Sequence, residues 1–426
     1  MVREGVRPSQ MSAATKTALI AKLSPQSCIV VETTASATTN GINLLAAYAA
    51  AKALTPNGAA LSATNRASVI IPPGVYDLGS GEGYTPLTLD TEFVDLIGLT
   101  SDRKSQHIKG TPPATNSGVI VQTADDVHVS NLYVKILTEV ESANWNDTDS
   151  AAYFPSTSLS NTVVDNCQFD GQDGSNDEGP RLFSMRLNIE YSGTFNNCTG
   201  GNFAFGGNEG TASGTFTNCT GGDFSFGGAG GTASGTFTNC TGGDYSFGGG
   251  GSASGTFTSC TGGYSAFGGG DGTASGTFTN CTGGEAAFGG GGTASGTFTN
   301  CTGGKFAFGS AGGTASGTFT NCTGGAGAFG GDRGTASGTF NYCTGGNNAF
   351  GGGPGAFGSK STASGTFNYC TGGEAAFGGG GTLSGQLYYC RLTTGSFQTL
   401  AEGGKLRACV DGSDTFIDTL NYEEQE

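Results

Sequence analysis

The chain has 426 residues, of which 80 are glycine and only 12% are charged. Its 34 acidic and 18 basic residues give a net charge of −16. A surface of this charge repels nucleic-acid phosphates and anionic lipid headgroups, so the composition argues against nucleic-acid-binding and membrane-surface functions.

Residues 1–38 are predicted to form a separate N-terminal arm, in which MSAATKTALIAKL suggests one short helix. The first ten residues, MVREGVRPSQ, have no apolar core and do not resemble a secretory signal. The longest apolar run, LLAAYAAAKAL at 44–54, is too short to span a bilayer. We therefore expect a protein that is made and folded in a reducing cytosol, where its 13 cysteines stay free thiols.

Residues 39–190 are predicted to form the first, irregular coils of a β-structure. The run NGINLLAAYAAAKAL at 40–54 predicts a helix that Asn40 caps and TPNG ends. Strand-like runs follow it at 67–78, 93–99, 118–136 and 161–169. The first of these runs, ASVIIPPGVYDL, places a Pro-Pro-Gly turn between two strands.

Residues 191–390 repeat one ten-residue unit, SGTFTNCTGG and its near-copies, in which phenylalanine, cysteine and glycine stay in step. Successive cysteines from Cys198 to Cys343 are 20 or 21 residues apart. The next step is 27 residues, because it contains an insertion at 351–361. A fixed period near 20 residues predicts a solenoid, in which no unit buries its apolar face alone. A flexible glycine-rich linker would not require phenylalanine and cysteine to recur at a fixed spacing.

Each repeat is predicted to contain two strand-like pieces, TASGTFTNC and a shorter piece ending in phenylalanine, while its glycines exclude an α-helix. Coils stacked in register would build their core from two phenylalanine columns and a cysteine column. The columns are Phe195, Phe216, Phe237, Phe257, Phe278, Phe298, Phe319, Phe340 and Phe367; Phe205, Phe226, Phe247, Phe267, Phe288, Phe308, Phe329, Phe350 and Phe377; and Cys198, Cys219, Cys240, Cys260, Cys281, Cys301, Cys322, Cys343, Cys370 and Cys390. Because alternation would point Phe216 and Cys219 to opposite faces, we expect a bend at Asn218, a residue type that tolerates the left-handed conformation.

A helix followed by VIIPPGVYDL, VDLIGL and GVIVQTADDVHVSNLYV resembles the start of the pectate-lyase-like right-handed parallel β-helix. That family includes many bacteriophage tailspikes and tail fibres. The matching stretch covers roughly residues 40–170, and the regular repeats continue it to about 390. The resemblance implies an all-β, right-handed parallel β-helix and, for the phage branch, a homotrimer on a virion. The regularity of the repeats differs from the irregular coils usual in the family and argues against an enzymatic groove there.

Carboxylates are the first candidates for catalysis, because glycoside hydrolysis needs two of them about 5–10 Å apart. The front half supplies Asp125, Asp126, Asp165, Asp170 and Asp173, which equally suit turns and solvated faces. In the repeats the acidic residues are scattered without pairing, so we expect no catalytic site there. They are Glu209, Asp223, Asp244, Asp271, Glu285, Asp332 and Glu374.

No cofactor or metal site is expected from the pattern. The two histidines, His107 and His128, are interpreted as isolated, and one cysteine per coil makes a column rather than a tetrahedral cage. A calcium ladder needs a carboxylate in every turn, whereas the position of Asp223 is occupied by Tyr264 and Lys305 in later coils.

Two sets of exposed positions are candidates for binding. The pairs Thr215/Thr217, Thr236/Thr238, Thr256/Thr258, Thr277/Thr279, Thr297/Thr299 and Thr318/Thr320 resemble the threonine array of ice-binding β-solenoids, although threonine is also a good exposed strand residue. A variable position after each GG pair is expected to face solvent. It holds Asn202, Asp223, Asp244, Tyr264, Glu285, Lys305, Ala326, Asn347 and Glu374.

The sequence thus predicts a fibre of a virion or cell surface, with residues 1–38 attaching it to tail or baseplate proteins. Host surface polysaccharide is its expected ligand. Residues 391–426 are expected to cap the last coil and to end in an acidic tail. Two alternatives stay open at this stage: a polysaccharide-degrading tailspike enzyme with its site in 90–190, and an ice-binding or adhesive solenoid. An enzymatic function is the less favoured interpretation, and no catalytic residue is assigned.

Overall fold

The computed structural model describes residues 27–112, 117–137, 150–155, 161–171, 183–185, 190–207, 209–310, 312–331, 333–353, 361–379, 381–397 and 400–419. The helix predicted in the arm, Asp173 and Asp332 lie outside these ranges. The chain divides into two compact units, which are described separately. The first unit is Met1–Phe205 with Gly214–Gly221, and the second is Gly206–Ser213 with Gly222–Glu426.

A single α-helix, α1 (Ala37–Ala51), precedes most of the strands among the described residues. The predicted start was wrong, because Ser36 and not Asn40 is the N-cap. The Ser36 Oγ accepts a hydrogen bond from the backbone N–H of Thr39 at 3.2 Å. Asn40 lies inside the helix and is buried, and its Nδ2 donates to the backbone oxygen of Val75 at 3.1 Å. The asparagine therefore ties the helix to the first coil.

The other regular elements of the described residues are three 3-10 helical turns, Pro56–Gly58, Gly81–Gly83 and Arg103–Ser105, and a series of short strands. They are β1 (Cys28–Val30), β2 (Ala67–Ile71), β3 (Gly74–Ser80), β4 (Leu87–Leu89), β5 (Val94–Gly98), β6 (Gln106–Thr111), β7 (Ser117–Gln122), β8 (His128–Ser130), β9 (Tyr133–Ile136), β10 (Ser150–Pro155), β11 (Val163–Asp165), β12 (Gln168–Asp170), β13 (Phe183–Met185), β14 (Glu190–Tyr191), β15 (Thr194–Asn196), β16 (Thr199–Gly200), β17 (Thr211–Ala212), β18 (Thr215–Thr217), β19 (Thr232–Ala233), β20 (Thr236–Thr238), β21 (Ser252–Ala253), β22 (Thr256–Thr258), β23 (Thr273–Ala274), β24 (Thr277–Thr279), β25 (Thr293–Ala294), β26 (Thr297–Thr299), β27 (Thr314–Ala315), β28 (Thr318–Thr320), β29 (Thr335–Ala336), β30 (Thr339–Asn341), β31 (Thr362–Ala363), β32 (Thr366–Asn368), β33 (Thr371–Gly372), β34 (Thr382–Leu383), β35 (Gln386–Tyr388), β36 (Arg391–Leu392), β37 (Lys405–Arg407), β38 (Cys409–Val410) and β39 (Phe416–Ile417).

In the first unit the strands stack coil upon coil into three parallel ladders. Their orders are β1-β2-β5-β8-β11-β15-β18, β3-β6-β9-β12-β16 and β4-β7-β10-β13. The register of the first ladder places Val69 beside Leu96, Leu96 beside Val129, and Val129 beside Val164. All four side chains are fully buried. An aliphatic column therefore lines one side of the core in the irregular coils.

In the second unit each coil has three short sides. A two-residue strand and a three-residue strand pair in parallel with their counterparts one coil away, in the orders β17-β19-β21-β23-β25-β27-β29-β31-β34 and β20-β22-β24-β26-β28-β30-β32-β35-β37. The third side is a single threonine in most coils, as in the parallel bridges of Thr261 with Thr282 and of Thr282 with Thr302, and becomes a two-residue strand in the last coils, in the order β33-β36-β38. The in-register stacking places Phe257, Phe278 and Phe298 in one column.

The second strand-like piece of each repeat is not a strand, contrary to the prediction. It is a run of turns in which Phe224 (φ 55°), Phe226 (φ 53°) and Gly227 (φ 69°) adopt left-handed conformations. Each such phenylalanine costs about 1–2 kcal/mol relative to a right-handed conformation. At Phe226, burial of the ring, worth about 1.5–3 kcal/mol, offsets this cost, whereas Phe224 is only half-buried. Both phenylalanine columns are fully buried, as predicted.

The cysteine column points inward, as predicted, and Asn218 bends the chain with φ 54°. All thirteen cysteines are free thiols, and only Cys28 is not fully buried. In the second unit, each thiol from Cys260 onward donates to a phenylalanine or leucine carbonyl in the preceding coil. The Sγ of Cys281, for example, lies 3.4 Å from the backbone oxygen of Phe257. These bonds satisfy the thiols inside the core.

The coils continue beyond residue 390. Strand β37 pairs in parallel with β35, and Cys409 extends the cysteine column 19 residues after Cys390. Strand β39 then pairs antiparallel with β38, the one antiparallel pairing of named strands in the described part of the chain. The predicted fold class, a right-handed parallel β-helix with a short N-terminal helix, is confirmed. Within the same ranges, no helix is long and apolar enough to cross a membrane.

Candidate functional site

Strands β3, β6, β9 and β12 of the first unit present a set of chemically diverse side chains on their outward face. We call this set the polar face. It consists of Asp77, His107, Lys109, Tyr133, Lys135, Gln168 and Asp170. The parallel register sorts these residues into two columns, one of His107, Tyr133 and Gln168 and one of Asp77, Lys109, Lys135 and Asp170.

Carboxylates lie at the two ends of the second column, and each already has partners. The Nζ of Lys109 lies 3.1 Å from Oδ2 of Asp77. Asp170 accepts a hydrogen bond from the Tyr133 hydroxyl at 2.6 Å and one from Nε2 of Gln168 at 2.9 Å. Lys135 lies between these pairs in the column, and no carboxylate of the described residues is within 4.0 Å of its Nζ.

His107 is not isolated, contrary to the interpretation from the sequence. Its ring packs against that of Tyr133, with centroids 4.6 Å apart. Burial lowers the pKa of His107, and the positive charges of Lys109 and Lys135 lower it further. Its buried Nε2 has no hydrogen-bond partner among the residues that the structure describes. The imidazole is therefore neutral at physiological pH.

The polar face does not offer a carboxylate pair for hydrolysis. Asp77 and Asp170 are separated by three strand spacings, or about 14 Å. The catalytic carboxylates of glycosidases lie about 5–10 Å apart. Burial and the hydrogen bond to Asp170 raise the pKa of Tyr133, so its phenol stays protonated and acts as a donor.

Asp126 and His128 belong to a second polar cluster of the first unit. Arg66 forms a two-pronged ion pair with the buried Asp95, with Nε–Oδ2 2.9 Å and Nη2–Oδ1 2.6 Å. Arg66 also donates to the backbone oxygen of Asp126 at 2.5 Å. The Nδ1 of His128 lies 4.0 Å from the Asp95 carboxylate, so this histidine is not isolated either. Burial lowers the pKa of His128, and the cluster acts as a structural tie between coils.

The other predicted carboxylates of the front half are engaged in structural contacts as well. Asp165 accepts a hydrogen bond from Nδ2 of Asn197 at 3.1 Å. Asp126 adopts φ 54° at a corner, and Nδ2 of Asn161 lies 3.4 Å from its Oδ2. Of the candidates Asp125, Asp126, Asp165 and Asp170, the structure places only Asp170 on the polar face.

In the second unit, acidic residues at the variable position also bind the backbone. The Oδ1 of Asp223 accepts from the N–H of Asp244 at 2.8 Å, and the Oδ1 of Asp244 accepts from the N–H of Tyr264 at 2.7 Å. Most residues at this position are exposed, as predicted. At Asp223, Asp244 and Asn347, however, the side-chain Oδ1 accepts a hydrogen bond from the backbone N–H of the next coil.

The predicted threonine array is present in the second unit. Thr256, Thr277 and Thr297 are exposed and stand beside one another in register, and Thr258 and Thr279 flank them half-buried. No group of three or more histidine, cysteine, aspartate or glutamate side chains in the described ranges is arranged to hold a metal ion.

The structure also reveals a feature that the sequence analysis missed, a column of exposed tyrosines that we call the tyrosine ladder. Tyr342, Tyr369 and Tyr389 are 58%, 48% and 50% exposed. Their rings are stacked, with centroids 5.0 and 4.8 Å apart. The signal was the change from TNC to NYC and YYC, which places tyrosine at the asparagine corner in three consecutive coils.

Comparison with known proteins finds similarity to solved structures only. No family model matches the sequence, and no curated protein matches it significantly. One similar structure is a pectin methylesterase in complex with a hexasaccharide, with 12% identity, 90% of this chain and 93% of that chain covered, and a TM-score of 0.25. Another is pectin methylesterase PemA from Erwinia chrysanthemi, with 11% identity, 91% and 93% covered, and a TM-score of 0.24. Scores this low carry no argument about activity, and the fold assignment rests on the parallel ladders of the structure itself.

Proposed function

We propose that the protein is a fibre of a virion or cell surface that binds a surface polysaccharide through the polar face without degrading it. The observation that carries the proposal is the composition of this face. Ammonium, phenol, amide and carboxylate groups lie side by side at the spacing of one coil, while the two carboxylates are too far apart for hydrolysis. Such a mixture of donors and acceptors suits the hydroxyl-rich surface of a sugar chain.

Lys135 is the residue that we expect to contribute most to binding. Its ammonium has no carboxylate partner among the described residues, whereas Lys109 is paired with Asp77. A hydrogen bond from a charged donor contributes about 1.5–3 kcal/mol, so its loss weakens binding about tenfold or more.

The virion location and the assembly are parts of the same proposal. The resemblance of the sequence to the phage branch of its fold supports a homotrimer that residues 1–38 attach to tail or baseplate proteins. Light scattering on the purified chain tests the assembly, with an expected mass three times 42.4 kDa. A monomer mass over a wide concentration range would contradict it.

The binding proposal is tested with a panel of purified bacterial capsular and lipopolysaccharide-derived polysaccharides. We expect at least one to bind the full chain, and Lys135→Ala to weaken that binding about tenfold. Lys104→Ala is the matched control, since it removes an exposed lysine that lies before strand β6 and outside the polar face, and it should leave binding unchanged. Equal affinity of the wild type and Lys135→Ala would refute a role for the polar face.

The same incubations distinguish a fibre that only binds polysaccharide from an enzyme that degrades it. New reducing ends or unsaturated sugars are measured after incubation with each bound polysaccharide. We expect none. Turnover that disappears in Asp170→Asn, Asp165→Asn or Asp126→Asn would instead establish a polysaccharide-degrading enzyme.

The threonine array favours ice binding as a second candidate, because its hydroxyls repeat in two directions without an intervening charge. The measurement is thermal hysteresis of the purified protein, compared with a variant carrying Thr277→Lys. Absence of any hysteresis in the wild type would eliminate this candidate.

A further inference from the structure

The tyrosine ladder ends one coil before the stacked coils of the second unit end. Tyr342, Tyr369 and Tyr389 occupy left-handed corners with φ of 55°, 54° and 56°, and the next such corner is Ala408 with φ 51°. The backbone N–H of Tyr389 donates to the oxygen of Arg407 at 2.9 Å, just as that of Tyr369 donates to Tyr388 at 2.8 Å. The backbone register therefore continues through Ala408, while the column of rings stops at Tyr389.

Ala408 stands at the corner where a fourth ring of the stack would lie. In each earlier step the next tyrosine covers the preceding ring at 4.8–5.0 Å. At the last step the covering residue has only a methyl group. Among the described residues, the only ring that contacts Tyr389 is Tyr369.

Arg407 lies beside this gap. Strand β37 places Arg407 next to Tyr388, in the column adjacent to that of the tyrosines. Its side chain is exposed, and no carboxylate of the described residues lies within 4.0 Å of it, whereas the nearby Arg391 is paired with Asp414 at 2.8 Å. A ring placed over Tyr389 thus has a guanidinium with five donors at its edge.

We propose that Tyr389, Ala408 and Arg407 form a subsite for one pyranose ring, which continues the stack in place of a fourth tyrosine. A pyranose has a flat apolar C–H face that packs against an aromatic ring and a rim of hydroxyls that accept hydrogen bonds from arginine. This subsite lies in the second unit and is separate from the polar face of the first. It rests on the proposed glycan-binding function and specifies the end of the repeat as a second point of contact.

The repeat itself supplies variants that keep the fold. Tyrosine occupies this corner in three coils, and asparagine occupies it at Asn300 (φ 54°) and Asn321 (φ 53°). Ala408→Tyr should therefore place a fourth ring on Tyr389 where the sugar would lie. Tyr389→Asn should remove the ring on which the sugar would stack. Neither change should disturb the coils. Tyr342→Asn is the matched control, because it removes a ring at the opposite end of the ladder.

The experiment is ligand-observed saturation-transfer NMR on the full chain with glucose, galactose and glucuronate as probes. We expect saturation of the C–H protons on one ring face for at least one probe. The signal should be lost in Tyr389→Asn and in Ala408→Tyr and retained in Tyr342→Asn. Arg407→Gln should weaken the binding of glucuronate more than the binding of the neutral sugars.

A signal that persists in both Tyr389→Asn and Ala408→Tyr, or no signal for any probe, would overturn the subsite. Circular dichroism of each variant shows whether the coils are intact. The Lys135→Ala comparison with polysaccharide is independent of this outcome. Failure of the subsite is therefore distinguishable from failure of the polar face.

Discussion

The ring of Phe278 stacks on that of Phe298 with centroids 4.8 Å apart and planes inclined by only 2°. Phe278 is also in edge-to-face contact with Phe288 of the second column at 5.6 Å and 86°. The same pattern of stacked and perpendicular contacts recurs from coil to coil. The two phenylalanine columns thus form one continuous aromatic core in the second unit.

Replacement of one of these rings is expected to leave a cavity that the coils cannot close, because neighbours above and below fix the spacing. Phe278→Ala should lower the free energy of unfolding by about 3–5 kcal/mol. Thr277→Ala, at the exposed neighbouring position, should change it by no more than about 0.5 kcal/mol. Urea denaturation followed by circular dichroism measures both. Similar midpoints for the two variants would contradict a packed aromatic core.

Glycine in the Ser-Gly pair of each repeat is required by the close approach of successive coils. A Cβ atom at Gly276 would lie 2.2 Å from the backbone oxygen of Gly255. Gly276→Ala should therefore force the coils apart and cost about 1–3 kcal/mol. Gly83→Ala is the control, since a Cβ there has no heavy atom within 4 Å and should be neutral or stabilising by up to about 1 kcal/mol. Equal thermal midpoints for the two variants would argue against the tight stacking.

The thiols of the cysteine column should not react with alkylating reagents in the folded protein. Hydrogen bonds between neighbouring thiols raise the pKa of Cys260 and lower that of Cys281 and Cys409. All three side chains are at most 1% exposed, so an alkylating reagent cannot reach them until the coils open. Intact-mass spectrometry after iodoacetamide treatment should show at most one modified cysteine, Cys28, under native conditions and 13 after denaturation. Rapid native alkylation of several thiols would show that the column is open to solvent.

The regular repeats were predictable because each coil has almost the same length. A fixed period is enough to place Phe257, Phe278 and Phe298 in one column. The left-handed conformation of Phe226 was not predictable, because phenylalanine rarely adopts it and only the packing of the assembled columns compensates for its cost. Ser36 was overlooked as a helix cap because the apolar pattern of α1 begins later than its backbone does.

The polar face could not be derived from the sequence for a related reason. Asp77, Lys109, Lys135 and Asp170 are separated by 32, 26 and 35 residues, so no period connects them. They meet only because loops of different lengths return each strand to the same register. The tyrosine ladder, in contrast, lies within the regular repeat, and its three substitutions in phase were visible as a pattern.

The two histidines should make the stability of the protein depend on pH. Burial lowers the pKa of His107 and of His128, so the folded chain binds protons less readily than the unfolded chain, in which the pKa is about 6.5. Below pH about 6.5 the unfolded state therefore takes up more protons, and the free energy of unfolding falls until the folded histidines also titrate. The unfolding temperature should accordingly decrease from pH 7.5 to pH 5.

His107→Gln is the informative variant, because Gln168 already occupies the same column of the polar face. Glutamine at position 107 cannot gain a charge, so the unfolding temperature of this variant should fall less between pH 7.5 and pH 5 than that of the wild type. Parallel pH curves for the two proteins would show that His107 does not titrate in this window, and its burial beside two lysines would then need another account.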